Sequence, residues 1–207
     1  AGSSVYSNAP KVALIQASGE IVDGTVGGGS LFGGADVIAS DDMAKTIREA
    51  AYDKDVKAIV LRVDSPGGSV SASDQILDAL KKAQKKGKPV VVSMGGVAAS
   101  GGYFISAYAN KIVAQPGTIT GSIGVLTGKV AFGKSLGLIG VTGEQIGVGK
   151  NALFDSPLEP FTPDQLANLN AQADAIYADF KEKVATGRKL PLATVDEIAK
   201  GRVWSGA

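Results

Sequence analysis

The residues of this chain that could do chemistry are a serine and two glycine-rich strings. Ser100 lies in Met94-Gly-Gly-Val-Ala-Ala-Ser-Gly-Gly102, and Asp64-Ser-Pro-Gly-Gly-Ser69 precedes it along the chain. A serine hydroxyl becomes an effective nucleophile only when a neighbouring base removes its proton. The 207 residues include no histidine and no cysteine, which excludes a Ser-His-Asp triad, a thiol protease and a Cys/His metal site. A deprotonated lysine or a carboxylate is left as the activating base.

Both strings are typical of a turn between a strand and the helix that follows it. Gly67 and Gly68 can adopt backbone angles closed to other residues, and their amides could bind an oxyanion that approaches closely. Ser100 would lie at the positive end of a helix, followed directly by Gly101. These three glycines are therefore candidate oxyanion or substrate-binding residues. Two simpler interpretations stay open, because Pro-Gly also forms tight turns and a serine in such a turn is commonly a helix cap.

The elements that must position these strings alternate between strands and helices. Apolar, β-branched runs predict strands and a period near 3.6 predicts helices. The predicted strands are residues 11–17, 56–63, 89–93, 111–114, 121–125 and 141–146, and the predicted helices are residues 40–51, 71–86, 100–107, 132–136 and 162–187. This alternation predicts an α/β fold with a mostly parallel sheet, right-handed crossovers and flanking helices.

Two of these elements carry more specific predictions. The first strand, with Val12, Leu14 and Ile15, has the composition of a buried strand. The last helix begins at the N-cap Thr162 and should bury one stripe of side chains. That stripe comprises Leu166, Leu169, Ala173, Ile176, Tyr177, Phe180 and Val184. Residues 24–35 form a glycine-dense loop by composition.

The composition limits the class of protein. The length predicts a single domain over residues 11–207, after a linker or cut end at residues 1–10. A net charge of +1 argues against nucleic acid as the main partner. The lysine-rich run at residues 81–88 is typical of the solvated end of an amphipathic helix. No segment reaches the roughly 20 apolar residues of a membrane span, and both ends are those expected of a fragment of a longer chain.

The chain resembles the signal peptide peptidase family of the protease IV type, within the superfamily that includes the Clp protease and the crotonases. The resemblance extends over nearly the whole chain from Lys11. It rests on Val60-Leu-Arg-Val-Asp-Ser-Pro-Gly-Gly-Ser69, Pro89-Val-Val-Val-Ser-Met-Gly-Gly96, Ala98-Ala-Ser-Gly-Gly-Tyr103, Thr118-Ile-Thr-Gly-Ser-Ile-Gly124 and Gly201-Arg-Val-Trp204. It implies a ClpP/crotonase-like fold and a serine endopeptidase that needs no cofactor or metal.

The resemblance also implies where and on what such an enzyme acts. The expected substrates are apolar signal peptides left in or near the bacterial inner membrane. The parent protein would be membrane-anchored, with its soluble domain facing the periplasm, and we expect a homo-oligomer. Ser100 is implied as the nucleophile, and Ser122 as the hydroxyl that orients a general-base lysine.

The source of that lysine stays open. In long members of the family the serine lies in the second half and the lysine in the first, in a string such as Lys-[Ser/Ala]-x-x-Glu-Pro-Phe. Here Glu159-Pro-Phe161 is present, but Asp155 occupies the lysine position. Lys150 is the nearest alternative in this chain. The other source is an upstream half, in which case the isolated 207 residues would be inactive or very weak.

Two other classes of function remain as alternatives. A crotonase-like acyl-CoA enzyme would share the fold and the oxyanion hole but would need a catalytic carboxylate and basic contacts to the CoA phosphates. Failure of CoA to raise the melting temperature would exclude it. A non-catalytic binding or assembly half-domain is the other alternative. It applies if no general-base lysine comes into contact with the serine.

Overall fold

The structure is a computed structural model that describes residues 10–26 and 36–207. Residues 1–9 of the expected linker and 27–35 of the glycine-dense loop lie outside the described residues. The chain divides into two compact units, Ala1–Gly124 with Asp179–Ala207 and Val125–Ala178. A single domain over residues 11–207 stays a prediction.

The first unit contains all the strands of the described chain. They are β1 Lys11–Ser18, β2 Glu20–Val22, β3 Val37–Ala39, β4 Val56–Ser65, β5 Val90–Ala99, β6 Lys111–Val113, β7 Ile119–Gly121 and β8 Val203–Ser205. The main sheet has the order β1-β4-β5-β7-β8, with β6 also paired to β5. All its pairings are parallel except β7 with β8. The mostly parallel α/β fold predicted from the sequence is therefore confirmed.

The described part of the chain contains six helices. They are α1 Ser40–Tyr52, α2 Val70–Lys85, α3 Gly101–Ser106 and α6 Leu192–Ile198, with α4 Gly133–Leu138 in the second unit and α5 Pro163–Arg188 running from the second unit into the first. Side chains along β4 alternate between a buried and an exposed face of the sheet. Ile59, Leu61 and Val63 are buried, and Arg62 and Asp64 are exposed. The apolar side of α2 packs on the buried face, with Ile76 and Leu80 almost fully enclosed.

The carboxyl ends of β4 and β5 position the two glycine-rich strings. The chain leaves β4 at Ser65, passes through the Pro-Gly-Gly turn and enters α2, whose N-cap is Ser69. It leaves β5 at Ala99 and enters α3, whose N-cap is Ser100. Because β4 and β5 are neighbouring parallel strands, both turns lie at the same edge of the sheet.

The second unit is much less enclosed than the first. None of the residues from Val125 to Ala178 is buried. The prediction of a strand at residues 141–146 is wrong, because this segment has no regular secondary structure. Its β-branched residues have no partner strand in the described part of the unit, and a strand without a ladder leaves its backbone groups unpaired. Ile146 is correspondingly 89% exposed.

Three further predictions need correction. The first strand is not buried on both sides: β1 is an edge strand of the main sheet, and Val12 and Leu14 lie on its exposed face. The strand predicted at 121–125 is instead β7, which ends at Gly121, and β5 extends beyond residue 93 to Ala99. The stripe of the long helix is buried only at Phe180 and Val184, since the other members lie in the open second unit or at its border.

Candidate active site

Ser100 has an unusual backbone conformation at the corner between β5 and α3. Its φ is 51° and its ψ is −120°, a region that residues with a side chain rarely adopt. The Ser100 amide donates a hydrogen bond to the carbonyl of Gly121 at 3.0 Å, and the Ser100 carbonyl accepts one from Phe104 at 2.8 Å. Such strained residues occur at functional sites, and a nucleophile on a sharp strand-to-helix turn is a known example.

Gly67 packs directly against the serine. A Cβ built on Gly67 would lie 2.8 Å from Ser100 Cβ, 3.1 Å from Ser100 Oγ and 2.7 Å from the amide nitrogen of Gly101. Gly67 also has a φ of 107°, in the region that favours glycine. The two strings are far apart in the sequence but contact each other in the fold. The contact is possible because Gly67 has no side chain.

Strand β2 holds the glycine turn from the other side. The amide of Ile21 donates to the carbonyl of Gly67, and the amide of Ser69 donates to the carbonyl of Ile21, both at 2.8 Å. Gly68 lies between these bonds, and a Cβ on it would be 2.1 Å from the Ile21 carbonyl oxygen. Gly68 is therefore required for the close packing of the turn against β2.

Two backbone amides near Ser100 make no hydrogen bond to any of the described residues. The Gly68 amide makes no hydrogen bond within the described part of the chain. The Gly101 amide is the first of α3, and the first amides of a helix have no partner inside it. A Cβ on Gly101 would lie 3.2 Å from Gly67 Cα, so this amide also adjoins the turn. Amides of this kind stabilise the oxyanion formed in acyl transfer.

A carboxylate beside the turn was not predicted from the sequence as part of the site. Asp23 accepts hydrogen bonds from Ser69 Oγ at 2.5 Å and Ser71 Oγ at 2.7 Å, and the amide of Ala72 donates to Ser69 Oγ at 3.3 Å. The two hydroxyls stabilise the ionised form and lower the pKa of Asp23. The serines at the start of α2 were visible in the sequence, but nothing in the sequence connects them with Asp23.

Ser122 occupies a position equivalent to that of Ser100 on the neighbouring strand. It follows the last residue of β7, as Ser100 follows the last residue of β5, and Gly121 pairs with Ala99. Its φ of 48° is also in the left-handed region, and its amide donates to the carbonyl of Arg202 at 2.8 Å. The structure thus brings Ser100, Gly67, Gly68, Gly101 and Ser122 to one edge of the sheet.

Lys150 lies in the second unit, on its surface. Its side chain is 75% exposed and forms an ion pair with Asp164 at 3.2 Å. It borders a cleft of about 280 Å³ that Glu159 also lines. Asp155, at the position of the family's lysine, is exposed in the same unit.

None of the lysines is buried, and all of them fall within the described ranges. Lys183 is among the least exposed, with 21% of its side chain accessible. Burial disfavours its charged form, but bonds to Asp179 and Asp74 outweigh this and raise the pKa of Lys183. It is therefore held in the protonated state, which is the opposite of what a general base requires. Among the described residues, no cluster of acidic side chains is placed to hold a metal ion.

Two protein-family models match parts of this chain. The model of peptidase family S49 matches residues 82–207, and the Clp protease model matches residues 35–118. Across the described residues, no helix has both the length and the apolar character needed to cross a bilayer.

Three relatives match nearly the whole chain. Protease 4 of Salmonella typhi is 45% identical over 94% of this chain and 30% of its own length. Protease 4 of Haemophilus influenzae is 39% identical over 98% of this chain and 32% of its own. The chloroplastic serine protease SPPA of Arabidopsis thaliana is 38% identical over 95% of this chain and 28% of its own. The chain thus spans about a third of the length of these relatives.

Proposed function

Because the chain belongs to peptidase family S49, we propose that it is the nucleophile-bearing part of a serine endopeptidase in which Ser100 attacks the peptide bond. The observation that carries the proposal is the contact between the two strings. Ser100 stands in a strained turn directly against Gly67, with the amides of Gly68 and Gly101 beside it. The serine protease named among the relatives supports the same reaction class.

The reaction follows from these groups. Ser100 Oγ adds to the scissile carbonyl carbon while its proton passes to a neutral lysine amine. The amides of Gly68 and Gly101 donate hydrogen bonds to the oxyanion of the tetrahedral intermediate. The lysine ammonium then protonates the leaving amine, which gives an acyl ester on Ser100. Water, deprotonated by the same lysine, hydrolyses this ester and regenerates the hydroxyl.

The general base of this mechanism is a lysine whose pKa must fall several units below about 10.4. Such a shift requires burial, and no lysine of the described residues is buried. Lys150 in particular is exposed, and its amine forms an ion pair with Asp164 at 3.2 Å. This supports a lysine supplied by another segment of a longer protein, since the relatives are about three times as long. Ser122 is proposed to orient that amine.

The proposed substrates are extended apolar peptides, including remnant signal peptides at the bacterial inner membrane. The resemblance in the glycine-rich strings supports this substrate class. An extended peptide can satisfy its backbone groups by pairing with an exposed strand beside the active site. Membrane anchoring of the parent and a periplasmic location of this domain are parts of the same proposal.

We also propose a homo-oligomer, which the surface of the second unit supports. Many large aliphatic side chains of this unit are mostly exposed in a single copy. This many large exposed apolar side chains in one unit are more typical of an interface than of a monomer. The residues concerned are Leu126, Val130, Leu138, Ile139, Ile146 and Val148.

A covalent label tests the role of Ser100. The longer protein that contains this chain and supplies the lysine, under conditions in which it cleaves an apolar peptide, is treated with a serine-directed acylating inhibitor and mapped by mass spectrometry. We expect the label on Ser100 and no turnover in Ser100→Ala. Ser135→Ala, on the exposed side of α4, is the matched control and should keep full activity. A label on another serine, or turnover by Ser100→Ala, would refute the proposal.

A further inference from the structure

Strand β5 contains a bulge shortly before Ser100. Val63 of β4 pairs with Met94, and Ser65 pairs with Ala98. Between these two pairs a single residue of β4, Asp64, faces the segment 95–97 of β5. Bulges of this kind bend a strand, and they are frequent next to active sites, where they redirect a side chain.

The side chain of Asp64 fills the space inside this bulge. Its Oδ1 accepts a hydrogen bond from the amide of Val97 at 3.0 Å. A Cβ built on Gly95 would lie 2.6 Å from both Cγ and Oδ2 of Asp64, so a side chain cannot fit there while the carboxylate is present. A Cβ on Gly96 would lie 3.7 Å from Asp64 Oδ1, an ordinary contact.

A hydrogen bond from the loop before β7 also stabilises the bulge. The position of the bulge determines where β5 ends. Thr118, only 2% exposed, donates from Oγ1 to the carbonyl of Gly95 at 2.8 Å. Before the bulge β5 pairs with β6, and from the last residue of the bulge, Val97, to Ala99 it pairs with β7. Ser100 follows directly, so the bulge determines the register in which the serine meets Gly67.

We propose that Asp64 is a positioning residue for the nucleophile. Its carboxylate holds the Val97 amide and occupies the bulge, which fixes the strand end that carries Ser100. Asp64 makes no contact with the reacting groups and acts only through the path of β5. The inference rests on the proposed role of Ser100 but involves a residue which that mechanism does not use.

A double-mutant comparison tests the geometry without any activity measurement. Gly95→Ala should lower the melting temperature by about 2–10 °C, because the new methyl group overlaps the carboxylate. In an Asp64→Gly background the same change should have little effect, because the Asp64 Cβ, 2.8 Å from the built Cβ of Gly95, is then absent together with the carboxylate. Gly96→Ala is the matched control and should behave alike in both backgrounds. Additive effects of Gly95→Ala and Asp64→Gly would overturn the proposed packing.

Turnover then tests the positioning role. A displacement of about 1 Å can reduce catalysis about 100-fold, so we expect Asp64→Ala to lower kcat by tenfold to 100-fold with a smaller change in KM. Asp64→Asn keeps an oxygen for the Val97 amide and should restore most of kcat. An unchanged kcat in Asp64→Ala, in a protein that Ser100→Ala inactivates, would overturn the inference. Turnover by Ser100→Ala would refute the proposed function instead and leave the packing result to stand by itself.

Discussion

Gly67→Ala is the substitution that most directly tests whether the two glycine-rich strings form one site. Gly67 has a φ of 107°, and a Cβ there would overlap both the side chain of Ser100 and the amide of Gly101. The nearest overlap is 2.7 Å, and the atom involved belongs to the backbone, which cannot move aside as a flexible side chain can. The substitution should therefore disturb the nucleophile itself.

Two effects contribute to the expected loss of stability. A side chain in the left-handed region costs about 1–2 kcal/mol, and overpacking typically costs about 1–3 kcal/mol. Gly87→Ala isolates the first effect, because Gly87 has a φ of 81° and no atom within 4 Å of a built Cβ. We expect Gly67→Ala to lower the free energy of unfolding by about 2–5 kcal/mol, the sum of both effects, and Gly87→Ala by about 1–2 kcal/mol.

Urea unfolding measures these free energies, and peptide turnover measures the accompanying loss of activity. Displacement of an oxyanion amide typically lowers kcat by about 10²–10³, so Gly67→Ala should be nearly inactive even where it is fully folded. Gly87→Ala should retain activity in proportion to its folded fraction. If the two substitutions cost the same stability and the same activity, Gly67 does not pack against Ser100 and the site described above is wrong.

Three further predictions concern other parts of the chain. Lys150→Ala should change the unfolding free energy by less than about 1 kcal/mol, as for exposed ion pairs, and should leave turnover by the longer protein intact; loss of that turnover alone would identify Lys150 as the base. Phe180→Ala should cost about 3–5 kcal/mol in urea unfolding, because its ring packs edge-to-face on Phe104, with ring centroids 4.9 Å apart, and is 4% exposed. The pKa of Asp23 is lowered in the folded state, so the ionised carboxylate stabilises the fold above the usual carboxyl pKa. This stabilisation is lost as the pH falls through the lower, folded-state pKa. Asp23→Asn should therefore reduce the loss of stability between neutral and acidic pH, and an unchanged pH dependence of the melting temperature would contradict this.

The sequence determined the regular elements where their apolar pattern was strong. Strand β4 and helix α2 were predicted within a few residues, because each has one buried face whose period identifies the element. The prediction failed at residues 141–146, where β-branched residues lie outside any sheet. A strand depends on a partner, and the pattern of one segment does not reveal whether a partner exists.

The sequence also determined which residue types the site could use. The absence of histidine and cysteine, together with the string around Ser100, pointed to a serine activated by something other than histidine. Only the tertiary structure could show that Gly67 touches Ser100, that Asp23 binds the serines of α2, or that Asp64 fills the bulge before the nucleophile. Each of these contacts joins residues of different strands or turns, and their distances depend on sheet register. Register is decided by the packing of the whole buried face and not by the local pattern of either segment.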